Sequence, residues 1–364
     1  MKDKILQALS NVDDPDLKKD IVTLGMVQDL TIEDNKVTFR LVLTTPACPL
    51  KEMIKNACIN AIHHLVDKDL EVNVIIDSMV TTQKRTTGDA LSGIKNIIAV
   101  ASGKGGVGKS TVATNLAIAL SMMGAKTGLL DADIYGPSLP TMLGLRTIRP
   151  DVSKQGDKMI INPIEKYGIK AMSVGLLIDE KQALVWRGPM ITTALRQLMM
   201  DVAWGELDYL VVDMPPGTGD IYLTLAQQFP LSAVVIVTTP QQVAVADTRK
   251  SIEMFRMPAI SKPILGIVEN MSYFSPAELP GSKYHIFGKG GAEELASEYG
   301  LQVLGHLPLF QSLAEEVDNG VPAIMQDNPM IKTEFIQMAE RVAQQMAVLN
   351  ATSALAEVKE TVAN

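Results

Sequence analysis

Val37, Phe39, Leu41 and Leu43 take alternate positions just behind the pair Asp34-Asn35. A period of two after a turn predicts a strand that hairpins with Met26 to Ile32. The period then changes. Leu50, Met53, Ile54, Ala57, Ala61, Ile62 and Leu65 recur at steps of three and four, which predicts a helix with one apolar face. With a helix ahead of the hairpin and the strand-like run Leu70 to Ile76 behind it, residues 1–80 read as a small α+β module.

From Thr81 the chain turns polar and small (Thr-Thr-Gln-Lys-Arg-Thr-Thr-Gly-Asp) and follows neither period, so residues 81–95 are read as a linker. Beyond it stand apolar runs too continuous to be amphipathic: Ile97 to Ala101, Thr127 to Leu130, Tyr209 to Val212, Ala233 to Val237 and Ile264 to Val268. Such runs predict parallel strands covered on both faces. Helical stretches separate them, at Thr111 to Met123, Ile191 to Ala203, Ile221 to Gln228, Val243 to Phe255 and Ala292 to Tyr299. The alternation predicts an α/β fold, a doubly wound, mostly parallel sheet over residues 96–350, preceded by the small α+β domain. Residues 351–364 are expected to form a flexible tail.

Composition narrows the function classes. The 364 residues carry a formal net charge of -8, which argues against a surface devoted to nucleic acid or anionic lipid. No apolar run is long enough for a membrane span and no leader opens the chain, so a cytoplasmic protein without a membrane partner is expected. The two cysteines, Cys48 and Cys58, stand ten residues apart, a spacing of neither a disulfide framework nor a metal knuckle. His63 and His64 are adjacent on one predicted helix and point about 100° apart, so they do not share a metal. Twenty methionines, including Met122-Met123 and Met199-Met200 in helical runs, are read as core filling.

The chemistry concentrates at Gly103-Lys104-Gly105-Gly106-Val107-Gly108-Lys109-Ser110. A glycine, four residues and then Gly-Lys-Ser, placed after an apolar strand and at the opening of a helix, is a phosphate loop. Glycines let successive amides turn toward phosphate oxygens, and the helix start adds its positive dipole end. Lys109 is expected to neutralise the β and γ phosphates of ATP, Ser110 to ligate magnesium, and Thr111 to lie in the same site. Asp213 ends the run Tyr-Leu-Val-Val-Asp, where a carboxylate can hold magnesium through water; Asp131 and Asp133 end an earlier strand. A cap or turn role for those two aspartates is the alternative.

Gly-Lys-Gly-Gly-Val-Gly-Lys-Ser-Thr resembles the deviant phosphate loop of the MinD, ParA and nitrogenase iron protein group. That resemblance implies a catalytic role for Lys104, which in the group reaches nucleotide phosphates in the partner subunit, and so a homodimer. It further implies that Gly217 senses the γ phosphate, that Asp133 orients the attacking water and that Asp131 supports the metal. Asn270 resembles the asparagine that reads the adenine edge, with a turn-forming Asn as the alternative, and the resemblance implies that Pro308 lies on a loop near the base. Asp-Ile-Tyr-Gly-Pro-Ser, Trp186-Arg187-Gly188-Pro189-Met190, Asp213-Met-Pro-Pro-Gly-Thr-Gly-Asp220 and Glu269-Asn-Met-Ser-Tyr-Phe together resemble the Mrp or ApbC family of iron-sulfur cluster carrier ATPases. Asp14-Pro15-Asp16, Asp20 to Met26 and Thr44-Thr-Pro-Ala-Cys-Pro49 resemble the MIP18-like domain often fused ahead of it. The family implies ATP hydrolysis, a cluster as cargo, and apo client proteins and an assembly scaffold as partners.

One departure touches the cargo. The family commonly carries Cys-x-x-Cys after Met-Ser-Tyr-Phe, where this chain has Ser275-Pro276-Ala277-Glu278-Leu279-Pro280. Iron-sulfur clusters are held mostly by thiolates, for which serine and glutamate oxygens are poor substitutes. Cys58 falls on the predicted apolar helix face and is read as structural. Cys48, at the predicted helix start where amide dipoles lower a thiol pKa, is the one candidate cluster contact, with a helix-entry cap as the alternative. Two readings stand beside the carrier: a MinD or ParA-like positioning ATPase, disfavoured by a tail with one lysine and two glutamates, and an ATP-binding scaffold that no longer holds a cluster.

Overall fold

The computed structural model describes residues 1–82, 91–156, 158–178, 188–217, 220–276, 278–279, 281–310 and 312–363. Part of the expected linker, the Trp186-Arg187 pair and Thr218-Gly219 lie outside them. The chain divides into one unit of residues 1–83 with 343–364, and a second of 84–342.

In the first unit α1 (Lys2–Leu9) leads to a two-residue ribbon, β1 (Asp13–Asp14) and β2 (Lys19–Asp20), then β3 (Val27–Glu33), β4 (Lys36–Leu43), α2 (Lys51–Leu65) and β5 (Glu71–Ser78). The sheet order is β3-β4-β5, antiparallel then parallel. The alternation seen in the sequence sends Val37, Phe39 and Leu41 into a core shared with Ile54, Cys58 and Ile62 of α2. Cys58 is fully buried, and that burial pushes its thiol pKa up to about 12, as a structural cysteine requires.

The second unit runs β6 (Ile94–Ala101), α3 (Lys109–Met122), β7 (Thr127–Asp131), α4 (Leu139–Met142), the hairpin β8 (Val152–Gln155) and β9 (Lys158–Ile161), β10 (Ile164–Lys166) and β11 (Ile169–Ser173). It continues with α5 (Gly188–Met200), β12 (Leu207–Asp213), α6 (Asp220–Gln228), β13 (Ala233–Thr238), α7 (Gln242–Arg256), β14 (Ile264–Glu269), α8 (Gly291–Tyr299), β15 (Val303–His306), α9 (Ser312–Asp318) and the first part of α10 (Pro329–Ala363), whose residues from Ala343 on belong to the first unit. Among the described residues, eight strands form one sheet in the order β10-β11-β7-β12-β6-β13-β14-β15. Every neighbouring pair is parallel except the β10-β11 edge. Strands β7, β12, β6 and β13 are covered on both faces, which is why their sequences are continuously apolar. The chain order reverses at β6, so the carboxyl end of β6 opens onto the crevice where such sheets bind ligands.

Two expectations are corrected. Met122 is exposed, because it sits in the last turn of α3, whereas Met199 is core. The tail expected from Ala351 is helical to Ala363, since α10 continues through a stretch free of Gly and Pro and Asn350 donates to the Thr81 carbonyl at 2.8 Å in the same unit. At its start, Pro329 stands at the first helical position and Asn328 Oδ1 accepts from the Met330 amide at 3.1 Å. Among the described residues, no helix is long and apolar enough to cross a membrane.

Candidate functional site

β6 delivers the chain to the loop 103–108 and α3 carries it away from Lys109. Gly106 and Gly108 hold left-handed φ angles of 82° and 79°, which turn consecutive amides to one side. Among the described residues, none accepts a hydrogen bond from the amides of Gly105, Gly106, Val107 or Gly108. Backbone donors left so at the amino end of a fourteen-residue helix form an anion cradle. Gly103 is fixed by space, because a Cβ there would stand 2.2 Å from the Asp247 carbonyl oxygen of α7. A cavity of about 190 Å³ opens over the loop, lined by Lys104, Gly105, Gly106, Gly108, Lys109, Ser110 and Thr111, with Ser102, Asp133 and Pro216.

Beneath the cavity the parallel register sets Asp213 beside Asp131, and Asp131 beside Ser173. The Lys109 ammonium, only 6% exposed, donates to Asp213 and lies 3.4 Å from Ser110 Oγ. Asp131 is fully buried; its Oδ1 accepts from the Asp133 amide at 3.1 Å, its Oδ2 from the Leu139 amide at 3.2 Å and from Ser173 Oγ at 3.0 Å. Burial, and then the charge of Asp213, push the Asp131 pKa up to about 7. Two buried carboxyl groups thus share one ammonium, and the deficit is met either by a proton on Asp131 or by an added cation. Asp131 itself does not line the cavity; its oxygens are spent ordering the segment from Asp133 to Leu139. Asp131 thus anchors Asp133, and any support it gives to a metal acts through that segment or through Asp213 beside it. Burial holds the Asp133 carboxyl above the ordinary aspartate range, with the Lys109 charge working against it.

The remaining expected residues surround the cavity rather than line it. The Gly217 amide donates to the Ser102 carbonyl at 3.1 Å, tying the end of β12 to the phosphate loop. Asn270, buried after β14, donates from Nδ2 to the Val107 carbonyl at 2.9 Å, and a Cβ on Gly108 would lie 2.1 Å from that nitrogen. Pro308 is buried next to Leu307, whose amide donates to the Glu269 carbonyl at 2.8 Å. Asn270 therefore clamps the loop from behind. Its truncation in Asn270→Ala is expected to cost about 1 kcal/mol, a roughly fivefold loss of affinity, for ATP and GTP alike. Calorimetry with both nucleotides checks this; a loss confined to ATP would instead mark a base reader.

Sequence reasoning missed Ser173, Ser102 and Pro216. Ser173 ends a strand with no strong period of its own, and only the sheet register brings it to Asp131. Cys48, the candidate cluster contact, is only 9% exposed and lines a narrow cavity of the first unit with Asp14, Asp16 and Gln344. The reason is that α2 starts only at Lys51, so Cys48 sits in the turn ahead of it, folded into the core. In the segment that replaces the Cys-x-x-Cys pair, Ser275 is buried while Glu278 and Leu279 are exposed.

Residues 93–346 match the family described as ParA: NUBPL iron-transfer P-loop NTPase, and residues 2–74 match that described as iron-sulfur cluster assembly protein. The chain is 48% identical over 327 residues to an iron-sulfur cluster carrier protein of Synechocystis, covering 89% of this chain and 91% of that one. To the iron-sulfur cluster carrier protein of Escherichia coli K12 it is 43% identical over 339 residues, covering 93% and 90%. Among solved structures, a nucleotide-binding protein from Archaeoglobus fulgidus in complex with ADP matches with a TM-score of 0.56 at 40% identity, covering 65% of this chain and 92% of that one.

Proposed function

We propose a function from one premise: the chain belongs to the NUBPL iron-transfer P-loop NTPase family, with an iron-sulfur cluster assembly domain ahead of the NTPase domain. It acts as an ATP-binding and ATP-hydrolysing iron-sulfur cluster carrier of the cytoplasm, passing clusters from an assembly scaffold to apo client proteins. The observation that carries this reading is the cradle of unbonded amides from Gly105 to Gly108 above the buried Lys109-Asp213 pair.

The amides and Lys109 bind the triphosphate. To do so Lys109 exchanges the Asp213 carboxylate for phosphate oxygens. Magnesium fits the site, because the donors within reach are hard oxygens; Ser110 would hold it directly and Asp213 through water. When bound it neutralises charge on the phosphate oxygens. Asp133 orients the attacking water, held in place by Asp131 and by the Gly136 amide at 3.3 Å. Lys104 reaches the nucleotide of a second copy, so the active form is a homodimer that nucleotide closes and hydrolysis reopens. Neither nucleic acid nor membrane is part of the cycle.

Besides the structural Cys58 the chain has one thiol, Cys48, and because it is buried in the turn ahead of α2 it contacts cargo only when that turn opens. Anaerobic reconstitution with iron and sulfide, followed by transfer to an apo-acceptor, is expected to proceed faster with ATP than without it. Cys48→Ser is expected to retain less than half of the iron and sulfide that the wild type holds. Equal loading of the two proteins removes Cys48 from the reading, and transfer indifferent to ATP removes the gating.

A further inference from the structure

At the far side of the sheet from Asp131, the ends of β14 and β15 and the first turn of α8 bring together Glu269, His306 and Glu293. Glu269 is 1% exposed. Its Oε1 accepts from Ser272 Oγ at 2.6 Å and its Oε2 from the Ala292 amide at 2.9 Å. His306 Nδ1 lies 3.4 Å from Glu269 Oε1 and 3.4 Å from Ser272 Oγ, while Nε2 lies 3.3 Å from Glu293 Oε1.

An ionised carboxylate only accepts hydrogen bonds, so the buried Glu269 fixes the hydrogen of His306 on Nδ1. Nε2 then faces Glu293, and the place between them suits a cation, either a proton on Nε2, which the Glu269 hydrogen bond and the Glu293 charge both favour, or a metal ion on its lone pair. Two acceptors 3.3 Å apart repel unless a cation lies between them. The separation is also the edge of a tetrahedron with bonds of about 2.0–2.1 Å, the lengths of zinc bonds to imidazole nitrogen and carboxylate oxygen. A histidine whose second nitrogen is held by a buried carboxylate is moreover the usual outer support of a metal-ligating imidazole. His306 is half-buried and Glu293 exposed, so an ion reaches the site from solvent.

We propose that His306 Nε2 and Glu293 bind a divalent first-row transition-metal ion, zinc, cobalt or iron(II), with water completing the shell and Glu269 orienting the histidine. Imidazole with carboxylate suits such ions, whereas magnesium prefers an all-oxygen set. The site stands apart from the phosphate loop, yet Glu269 is the immediate neighbour of Asn270, which clamps that loop. It is thus placed to report metal supply to the nucleotide site.

Cobalt(II) is the probe, titrated anaerobically into the nucleotide-free full chain and read by visible d–d absorption. One ion per chain with nitrogen and oxygen ligands, free of thiolate charge-transfer bands, is expected. Glu293→Gln and His306→Gln are expected to weaken binding at least tenfold, and Glu269→Gln roughly 10- to 100-fold. Glu294→Gln is the control, because that carboxylate serves Arg249 and Gln242 instead, and it leaves binding unchanged. Glu293 lies on the surface, so its variant tests the site even if a His306 variant folds poorly. Binding indifferent to Glu293→Gln, or no d–d bands in the wild type, overturns the proposal and leaves a proton as the cation between the two groups.

Discussion

Lys109→Ala is expected to slow phosphate release from ATP at least a hundredfold and, in the nucleotide-free protein, to lower stability by about 3–5 kcal/mol. The two effects have one origin. Lys109 is the ammonium against which Asp213 is buried, and Asp131 stands in register beside it. Removing the lysine leaves two adjacent carboxylates in a medium where their repulsion is poorly screened, and one of them must take up a proton, which limits the loss. Urea unfolding of Lys109→Ala and of Lys109→Ala/Asp213→Asn separates the contributions. The double variant is expected to recover stability, because an amide needs no countercharge, and to remain inactive, because the phosphate contact is still missing. A single variant as stable as wild type would deny the buried pair its role. Normal turnover would deny Lys109 its place on the phosphates.

The parts of this site that could be read from the sequence are the local ones. An eight-residue loop with a strand before it and a helix after it contains its own context, and five apolar runs announce covered parallel strands without any knowledge of their order. What was hidden depends on register or on an unusual turn. The β10-β11 edge turns through Tyr167 and Gly168, both at positive φ (50° and 76°). Such a turn is normally announced by Asn-Gly, and a tyrosine at its first position conceals it. With the hairpin unseen, Ser173 had no reason to approach Asp131, and the three protein hydrogen bonds that Asp131 accepts stayed hidden. Asn270 shows the opposite limit. Its type and place after β14 were legible, but its bond to Val107 spans 163 positions of sequence, and no local pattern encodes it. The histidine between two glutamates was equally invisible, because β15 is only four residues long and its apolar run too short to register as a strand.

Asp133→Ala is expected to lower hydrolysis by about 10²- to 10⁴-fold while ATP affinity stays within a few-fold of wild type, and this split decides between a hydrolysing carrier and a binding scaffold. Asp133 lines the cavity beside Lys104 and Lys109, and its position is set from outside the site by the Asp131 carboxylate and the Gly136 amide. Burial raises its proton affinity, which brings the carboxylate closer to the range useful for polarising water at neutral pH. Asp133→Asn preserves shape and much of the hydrogen bonding but carries no charge, so it should match the alanine variant in turnover and exceed it in stability. Calorimetry gives the affinity term and phosphate release the turnover term. If wild type, Lys109→Ala and Asp133→Ala all release phosphate at one background rate, the cavity binds nucleotide without cleaving it. Opening and closing of the carrier would then have to be driven by nucleotide exchange alone, because without hydrolysis the only change in ligand that the cradle could sense is release of ATP itself.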